Sequence, residues 1–151
     1  MPKDATRPSV RPLVLTGFGL GAFLDGIVLH QLLQWHHLVD LRRPADDLAG
    51  LQANTVWDGL FHLASWLLVL VGVLWTARSR AGPRALPWRR LVGPLLAGWG
   101  TFHITDQVVF HLLLGAHHIR MVEHPEVYDW GYTAIGAGLV AAGLALVRRA
   151  R

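Results

Sequence analysis

Apolar residues are concentrated in four long runs along the chain, and short polar segments separate them. The runs cover about residues 13–38, 56–77, 91–116 and 130–147. Each approaches the roughly 20 residues that an α-helix needs to cross the hydrocarbon layer of a bilayer. Four strands would be too few to close a transmembrane barrel. The pattern therefore predicts an all-α protein with one membrane domain, residues 13–147, built as a four-helix transmembrane bundle.

The first and third runs repeat one another. Residues 17–37, GFGLGAFLDGIVLHQLLQWHH, align without a gap on residues 98–118, GWGTFHITDQVVFHLLLGAHH. In the shared Asp-x4-His-x5-His-His spacing, the matched residues are Asp25 with Asp106, His30 with His111, His36 with His117, and His37 with His118. Random apolar sequence does not repeat such a spacing, so we interpret it as a duplication. The bundle is predicted to consist of two parallel-repeat helix hairpins, residues 1–77 and 91–147.

Composition agrees with a membrane domain and excludes several kinds of chemistry. Hydrophobic residues make up 52% of the chain and charged residues 16%. The net charge of +4 does not indicate nucleic-acid binding, because the basic residues lie in short clusters between the apolar runs. The chain has no cysteine, which excludes disulfides, thiolate metal sites and thiol catalysis. With two methionines, a thioether copper(I) relay is also disfavoured.

Basic residues are distributed unequally between the two predicted sides of the membrane. Three of them, Arg42, Arg43 and Arg120, follow the first and third runs. Eleven lie at the termini or after the second run, namely Lys3, Arg7, Arg11, Arg78, Arg80, Arg84, Arg89, Arg90, Arg148, Arg149 and Arg151. By the positive-inside rule, both termini face the cytoplasm. We therefore expect a multi-pass protein of the bacterial inner membrane, with residues 1–12 and 148–151 as cytoplasmic tails.

Histidines of three predicted helices lie at one depth in the membrane. His30 and His111 come shortly before the outer ends of their helices, and His62 comes a similar distance after the start of its own. Ionisable side chains are costly inside a membrane and need a local reason. Imidazoles that converge from separate helices are what a metal centre in a bundle requires. We predict a mononuclear or dinuclear metal site in the outer half of the bundle, with these three histidines as core ligands.

Several acidic and imidazole side chains are candidates for the remaining ligands. They are Asp58, His37, His118, Asp25, Asp106 and His103. Asp58 lies one helical turn before His62, so both side chains can face one site. The five-residue spacing from Asp25 to His30 corresponds to about 140° on a regular α-helix. Asp25 shares a helical stripe with Gly17 and Gly21, so one position for it is the contact between the first and third helices. A π-bulge could instead realign it with His30, and such bulges are frequent at functional sites.

Every one of these polar residues also has a purely structural explanation. Histidines near the ends of membrane helices are often solvated at the interface, which applies to His36, His37, His117, His118 and His124. A protonated Asp25 or Asp106 can join two helices through a hydrogen bond. Asp58 and Asp129 open their helices, where an anionic side chain suits the helix dipole. The sequence assigns no particular role to His36, His117, His124 or Asp129.

Nitrogen and oxygen donors without sulfur suit Zn, Fe, Mn or Cu(II), for redox chemistry or for Lewis-acid activation of water. The main alternative is haem b held by paired axial histidines, with electron transfer to or from a quinone. A cation or proton transporter and a non-catalytic membrane assembly factor are further alternatives. The expected partners are the lipid bilayer and either a second copy of the chain or a respiratory-chain protein.

The strings GFGLGAFLDGIVLHQLLQWHH, DGLFH and GWGTFHITDQVVFHLLLGAHHIR resemble an uncharacterised family of small bacterial integral membrane proteins. The resemblance extends from Gly17 to Trp130. It implies the four-span fold, and it brings no established activity or cofactor.

Overall fold

A computed structural model describes residues 9–79 and 86–150 of the chain. These residues form four helical elements and no strand, which confirms the all-α prediction. The helices are α1 (Arg11–Asp25), α2 (Leu48–Ser79), α3 (Trp88–Asp106) and α4 (Glu126–Arg149). A π-helical segment continues α1 over Gly26–Leu32, and a second continues α3 over Gln107–Leu113. Five basic residues used for the orientation lie outside the described residues: Lys3, Arg7, Arg80, Arg84 and Arg151.

Two connections, residues 33–47 and 114–125, form one end of the molecule, which we call the loop end. At this end the limits of the helices differ from the limits of the apolar runs. The first helix stops at Leu32, and the second begins at Leu48. By length and composition, three helices are able to cross a membrane: Arg11–Leu32, Leu48–Ser79 and Glu126–Arg149. The third helix, α3, is not among them, and its interior residues His103 and Asp106 lower its hydropathy.

The two repeated helices form the centre of the bundle. Within the described residues, α1 packs against α3, α2 packs against α1, and α4 packs against α3. Glycines allow the central pair to approach closely. A Cβ atom on Gly17 would collide with the carbonyl oxygen of Leu95, and one on Gly98 would collide with that of Val14. Because these contacts involve backbone atoms, the α1–α3 crossing depends on the absence of both side chains.

The buried positions are largely polar, whereas many large apolar side chains point outward. His30, His36, Asp58 and Asp106 are each at most 2% exposed. On α2, Trp57 and Trp66 are about half exposed (49% and 50%). Ionisable residues of membrane proteins face the interior of the bundle, and apolar residues face lipid. The distribution of side chains therefore fits a protein surrounded by a bilayer, with a polar centre near its loop end.

Candidate metal centre

The π-helical segments bring each repeated aspartate next to its histidine. Hydrogen bonds from the Leu33 amide to the Val28 carbonyl (2.8 Å) and from Leu114 to Val109 (2.9 Å) span five residues. This wider turn places residues five apart on one face, which a regular α-helix does not do. Nε2 of His30 consequently lies 3.5 Å from Oδ2 of Asp25. Of the two arrangements that the spacing allowed, the structure has the π-helical one, in both halves.

Both helices end in a sharp reversal that directs a further histidine inward. The reversal is made by Gln34 (φ 49°) and by its repeat counterpart Gly115 (φ 53°). Two residues later, His36 and His117 enter the protein interior, where each is 1% exposed. Sequence reasoning left these two histidines unassigned, because it continued the helices beyond the point where the chain turns.

Six side chains thereby form two matched groups at the loop end. Asp25, His30 and His36 make up the first triad, and Asp106, His111 and His117 make up the second. Within each triad, one potential ligand atom per residue lies within 4.8 Å of the others. The rings of His36 and His117 stack on one another, with centroids 4.4 Å apart and planes 8° from parallel. The two triads are thus neighbours.

Hydrogen bonds between the halves fix the orientation of the stacked histidines. Nδ1 of His36 donates to the carbonyl oxygen of Ile119 (2.8 Å), and Nδ1 of His117 donates to that of Leu38 (3.0 Å). A carbonyl accepts only, so the proton of each neutral ring is on Nδ1 and Nε2 keeps a free lone pair. Burial, reinforced by the imidazoles of His117 and His30, lowers the pKa of His36 well below its usual range. His36 is therefore neutral, as a metal ligand has to be.

Asp58, at the start of the membrane-spanning part of α2, supports the first triad from outside. Its Oδ1 accepts from Nδ1 of His30 (2.9 Å) and from the Leu38 amide (2.9 Å). Its Oδ2 accepts from Nδ1 of His37 (2.7 Å). Asp58 and His37, both predicted as ligands, are hydrogen-bonded to each other. Asp58 lies on the Nδ1 side of His30. A carboxylate in this position orients an imidazole and increases its basicity.

Asp129, at the start of α4, has the same role in the second triad. Its Oδ1 lies 3.1 Å from Nδ1 of His111 and accepts from the Ile119 amide (2.9 Å). Its Oδ2 accepts from Nδ1 of His118 (2.7 Å). His118, also predicted as a ligand, is therefore the counterpart of His37. Asp129 had no assigned role, because the offset between α2 and α4 differs from the offset between α1 and α3.

Several buried polar atoms at the centre of the site have no hydrogen-bond partner. In the described part of the chain, they are Nε2 of His36 and His117, both ring nitrogens of His111 and Oδ2 of Asp106, together with Oε1 of the neighbouring Gln107. Nε2 of His111 nevertheless lies 3.2 Å from Oδ2 of Asp106. The two ring nitrogens of His111 thus lie between the carboxylates of Asp129 and Asp106, without hydrogen-bond geometry to either. Buried polar atoms without partners are costly, which makes this cluster a candidate for binding a cation.

His62 does not join the triads, contrary to the prediction from its depth. Its Nδ1 donates to the backbone carbonyl of Asp58 (2.8 Å), and its ring meets the edge of the Phe23 ring at 5.6 Å. In α4 the matching residue, Thr133, makes the same bond to the Asp129 carbonyl (2.8 Å). Depth alone does not determine the direction of a side chain around a helix, and His62 points to the side of the centre.

His103 also lies outside the triads. Its ring stacks on that of Tyr132 (centroids 3.8 Å apart), and its Nε2 accepts from Nε1 of Trp99 (3.0 Å). Tyr132 in turn donates its hydroxyl hydrogen to Oδ1 of Asp25 (2.8 Å). His103 thus supports a tyrosine that contacts the first triad. His124 is at the surface, with a side chain 76% exposed, and its Nδ1 lies 3.3 Å from Oε1 of Glu126.

Residues 13–150 match the family model described as "Predicted membrane protein (DUF2243)". The chain belongs to this family. The match confirms the resemblance to an uncharacterised membrane family, and contact with the lipid bilayer follows from it. No curated protein and no solved structure matches the chain.

Proposed function

We propose that this protein binds two metal ions, one in each triad, and carries out chemistry at them. The observation that supports this most strongly is the set of buried polar atoms without a hydrogen-bond partner: Nε2 of His36 and His117, both ring nitrogens of His111 and Oδ2 of Asp106. Nδ1 of His30, His36 and His117 is hydrogen-bonded to a carboxylate or carbonyl oxygen. In the neutral form of these three rings, the lone pair of Nε2 is therefore available to a metal ion.

Charge balance supports two divalent ions. Asp25, Asp58, Asp106 and Asp129 are buried (2–7% exposed), and no lysine or arginine is buried among the described residues. Their partners are the imidazoles of His30, His37, His111 and His118, which balance the charge only where they are protonated. With neutral histidines, two divalent cations would balance the four carboxylates.

The composition of each triad favours a reactive site. Two imidazoles and one carboxylate bind non-haem Fe(II) in many oxygenases, and related donor sets bind catalytic Zn. Three protein donors leave coordination positions for water or substrate, whereas structural zinc sites are closed by four. We propose iron first, with Zn, Mn and Cu(II) as the alternatives that metal analysis would identify. The position of the centre near the periplasmic face, as the basic residues predict, is part of this proposal.

The same geometry gives less support to haem b. Axial ligation requires two opposed imidazoles with the macrocycle between them. Here the most central imidazoles, His36 and His117, stack directly on each other, and those of His30 and His111 face carboxylates.

Metal analysis of detergent-purified protein tests the proposal. We expect about two ions per chain in the wild type. The substitutions His36→Ala and His117→Ala, each removing one inner donor, should lower the metal content by about one ion or more. Two histidine variants serve as controls: His62→Ala, which removes a ligand predicted from sequence alone, and His124→Ala, at the surface. Both should retain the wild-type content.

Several results would contradict the proposal. Folded wild-type protein that retains no ion after reconstitution with Fe(II), Zn(II), Mn(II) or Cu(II) would exclude the centre. Equal metal loss in His36→Ala and His62→Ala would place it elsewhere. A Soret band in the absorption spectrum of the purified protein would favour haem.

A further inference from the structure

A cavity next to the centre breaks the symmetry of the two halves. It has a volume of about 380 Å³ and lies between α1, α3 and α4. Gly21 and Gly131 line it. In the aligned repeats, Gly21 corresponds to Phe102, and Gly131, two residues after Asp129, corresponds to Leu60, two residues after Asp58. The positions that match the cavity on the α2 side of the bundle thus carry large side chains instead of glycine.

The walls of this cavity are aromatic and its mouth is apolar. Trp35, Trp99, Tyr128 and Tyr132 contribute rings to the lining, together with the imidazole of His103. At the outside, Leu24, Val127 and Ile135 are 41–68% exposed, on helix faces that fit a lipid environment. A ligand would therefore enter from the bilayer rather than from water. Flat rings are well suited to such a site, because aromatic walls interact with them through stacking and edge contacts.

The polar part of the lining leads directly to the first triad. The Tyr132 hydroxyl donates to Oδ1 of Asp25, and Oδ2 of the same carboxylate lies 3.5 Å from Nε2 of His30. In the first hairpin, Phe61 occupies the position of Tyr132, so this link occurs in one half. An oxygen atom of a ligand beside Tyr132 would be one hydrogen bond away from a residue of the centre. An acyl chain has no group that could use this polar contact.

We propose that the cavity binds the ring of a lipid-soluble quinone or quinol. The ring lies among the aromatic walls, and the apolar tail leaves between Leu24 and Ile135 into the bilayer. The Tyr132 hydroxyl donates its hydrogen to Asp25, so the ring hydroxyl of the quinol form donates to the Tyr132 oxygen. Binding of the ring does not require the metal ions. A role of the ligand as substrate rests on the proposed function.

Quenching of tryptophan fluorescence by a benzoquinone with a ten-carbon tail tests the site, because Trp35 and Trp99 line the cavity. No atom of the described residues lies within 4 Å of a Cβ built on Gly131 or on Gly138. Gly131→Phe should therefore fill the cavity without a clash, and Gly138→Phe, on the same helix outside the lining, is its matched control. We expect saturable quenching in the wild type and the control, and affinity at least roughly tenfold weaker in Gly131→Phe.

Tyr132→Phe provides a second test, because the first hairpin carries phenylalanine at this position. It should weaken binding of the quinol form several-fold, measured by competition with the quenching quinone, because only the quinol can donate to the Tyr132 oxygen. The metal content of each sample is measured alongside, so that failure of the quinone site can be told apart from failure of the metal centre. Equal quenching in the wild type, Gly131→Phe and Gly138→Phe, or displacement of the quinone by equimolar dodecane, would overturn the proposal.

Discussion

The two hairpins of this protein agree around the candidate centre and differ beside it. In the first, Asp58 accepts hydrogen bonds from His30, His37 and the Leu38 amide at 2.9, 2.7 and 2.9 Å. In the second, the corresponding distances from Asp129 are 3.1, 2.7 and 2.9 Å. Both hairpins also place a stacked histidine against the backbone of the other. Each hairpin supplies all three residues of its own triad, but the orientation of its stacked histidine depends on the backbone of the other hairpin.

The residues that differ between the two repeats lie beside the centre and line the cavity. They replace Phe102 by Gly21, Leu60 by Gly131 and Phe61 by Tyr132, all on the side where the cavity opens. In our proposals, the positions that match between the repeats bind the metal ions, and the positions that differ shape the cavity in which a ligand approaches them. Substitutions at matched positions separate these two roles.

The largest effect is expected at the helix crossing. Gly17→Leu or Gly98→Leu would drive a side chain into the backbone of the facing helix, at Leu95 or Val14. We expect each to destabilise the protein by at least about 3 kcal/mol, because backbone atoms cannot move aside as side chains do. Thermal unfolding in detergent measures this. Gly59→Leu is the control, since no described atom lies within 4 Å of its Cβ. Equal melting temperatures for Gly17→Leu and Gly59→Leu would show that the helices do not cross here.

A smaller and symmetric effect is expected from the outer carboxylates. Asp58→Asn and Asp129→Asn keep the shape of the side chain but remove the charge that orients His30 or His111. Loss of such a partner typically weakens metal binding ten- to hundredfold, and we expect both variants to fall in that range. Metal titration with a competing chelator measures the affinity, and Asp46→Asn is an exposed control. If only one variant lost affinity, the two halves would not be equivalent.

The smallest effect concerns the reversal that follows each π-helical segment. Gln34 adopts a positive φ of 49°, whereas its counterpart at 53° is Gly115. A left-handed conformation costs a residue with a side chain roughly 1–2 kcal/mol. Gly115→Ala should destabilise the protein by about 1 kcal/mol, and Gln34→Gly should stabilise it slightly. Melting temperatures that shift in the opposite directions would argue against this turn.

The repeat and its chemistry were accessible from the sequence because they are local. The spacing of Asp25 and His30 left a π-bulge as one way to align the pair, and both π-helical segments are present. Depth in the membrane predicted the ligands less well than spacing did. The His62 side chain contacts the Asp58 carbonyl and Phe23 instead of the triads, because its direction around the helix depends on the packing of the neighbouring helices. His36 and His117 were missed because the reversal at Gln34 and Gly115 moves them from a helix end into the interior. A clue was available in Gly115, which is a common helix-ending residue.

The sequence by itself determined the all-α class, the membrane character and the duplication, because hydrophobic periodicity and repeated spacing are properties of the chain alone. Tertiary structure decided which donors meet. It directed His36 toward Ile119 and His117 toward Leu38, across the two halves. It also moved Asp58, His37 and His118 behind the inner histidines. These contacts join residues distant in sequence, and they depend on how closely α1 and α3 approach at Gly17 and Gly98.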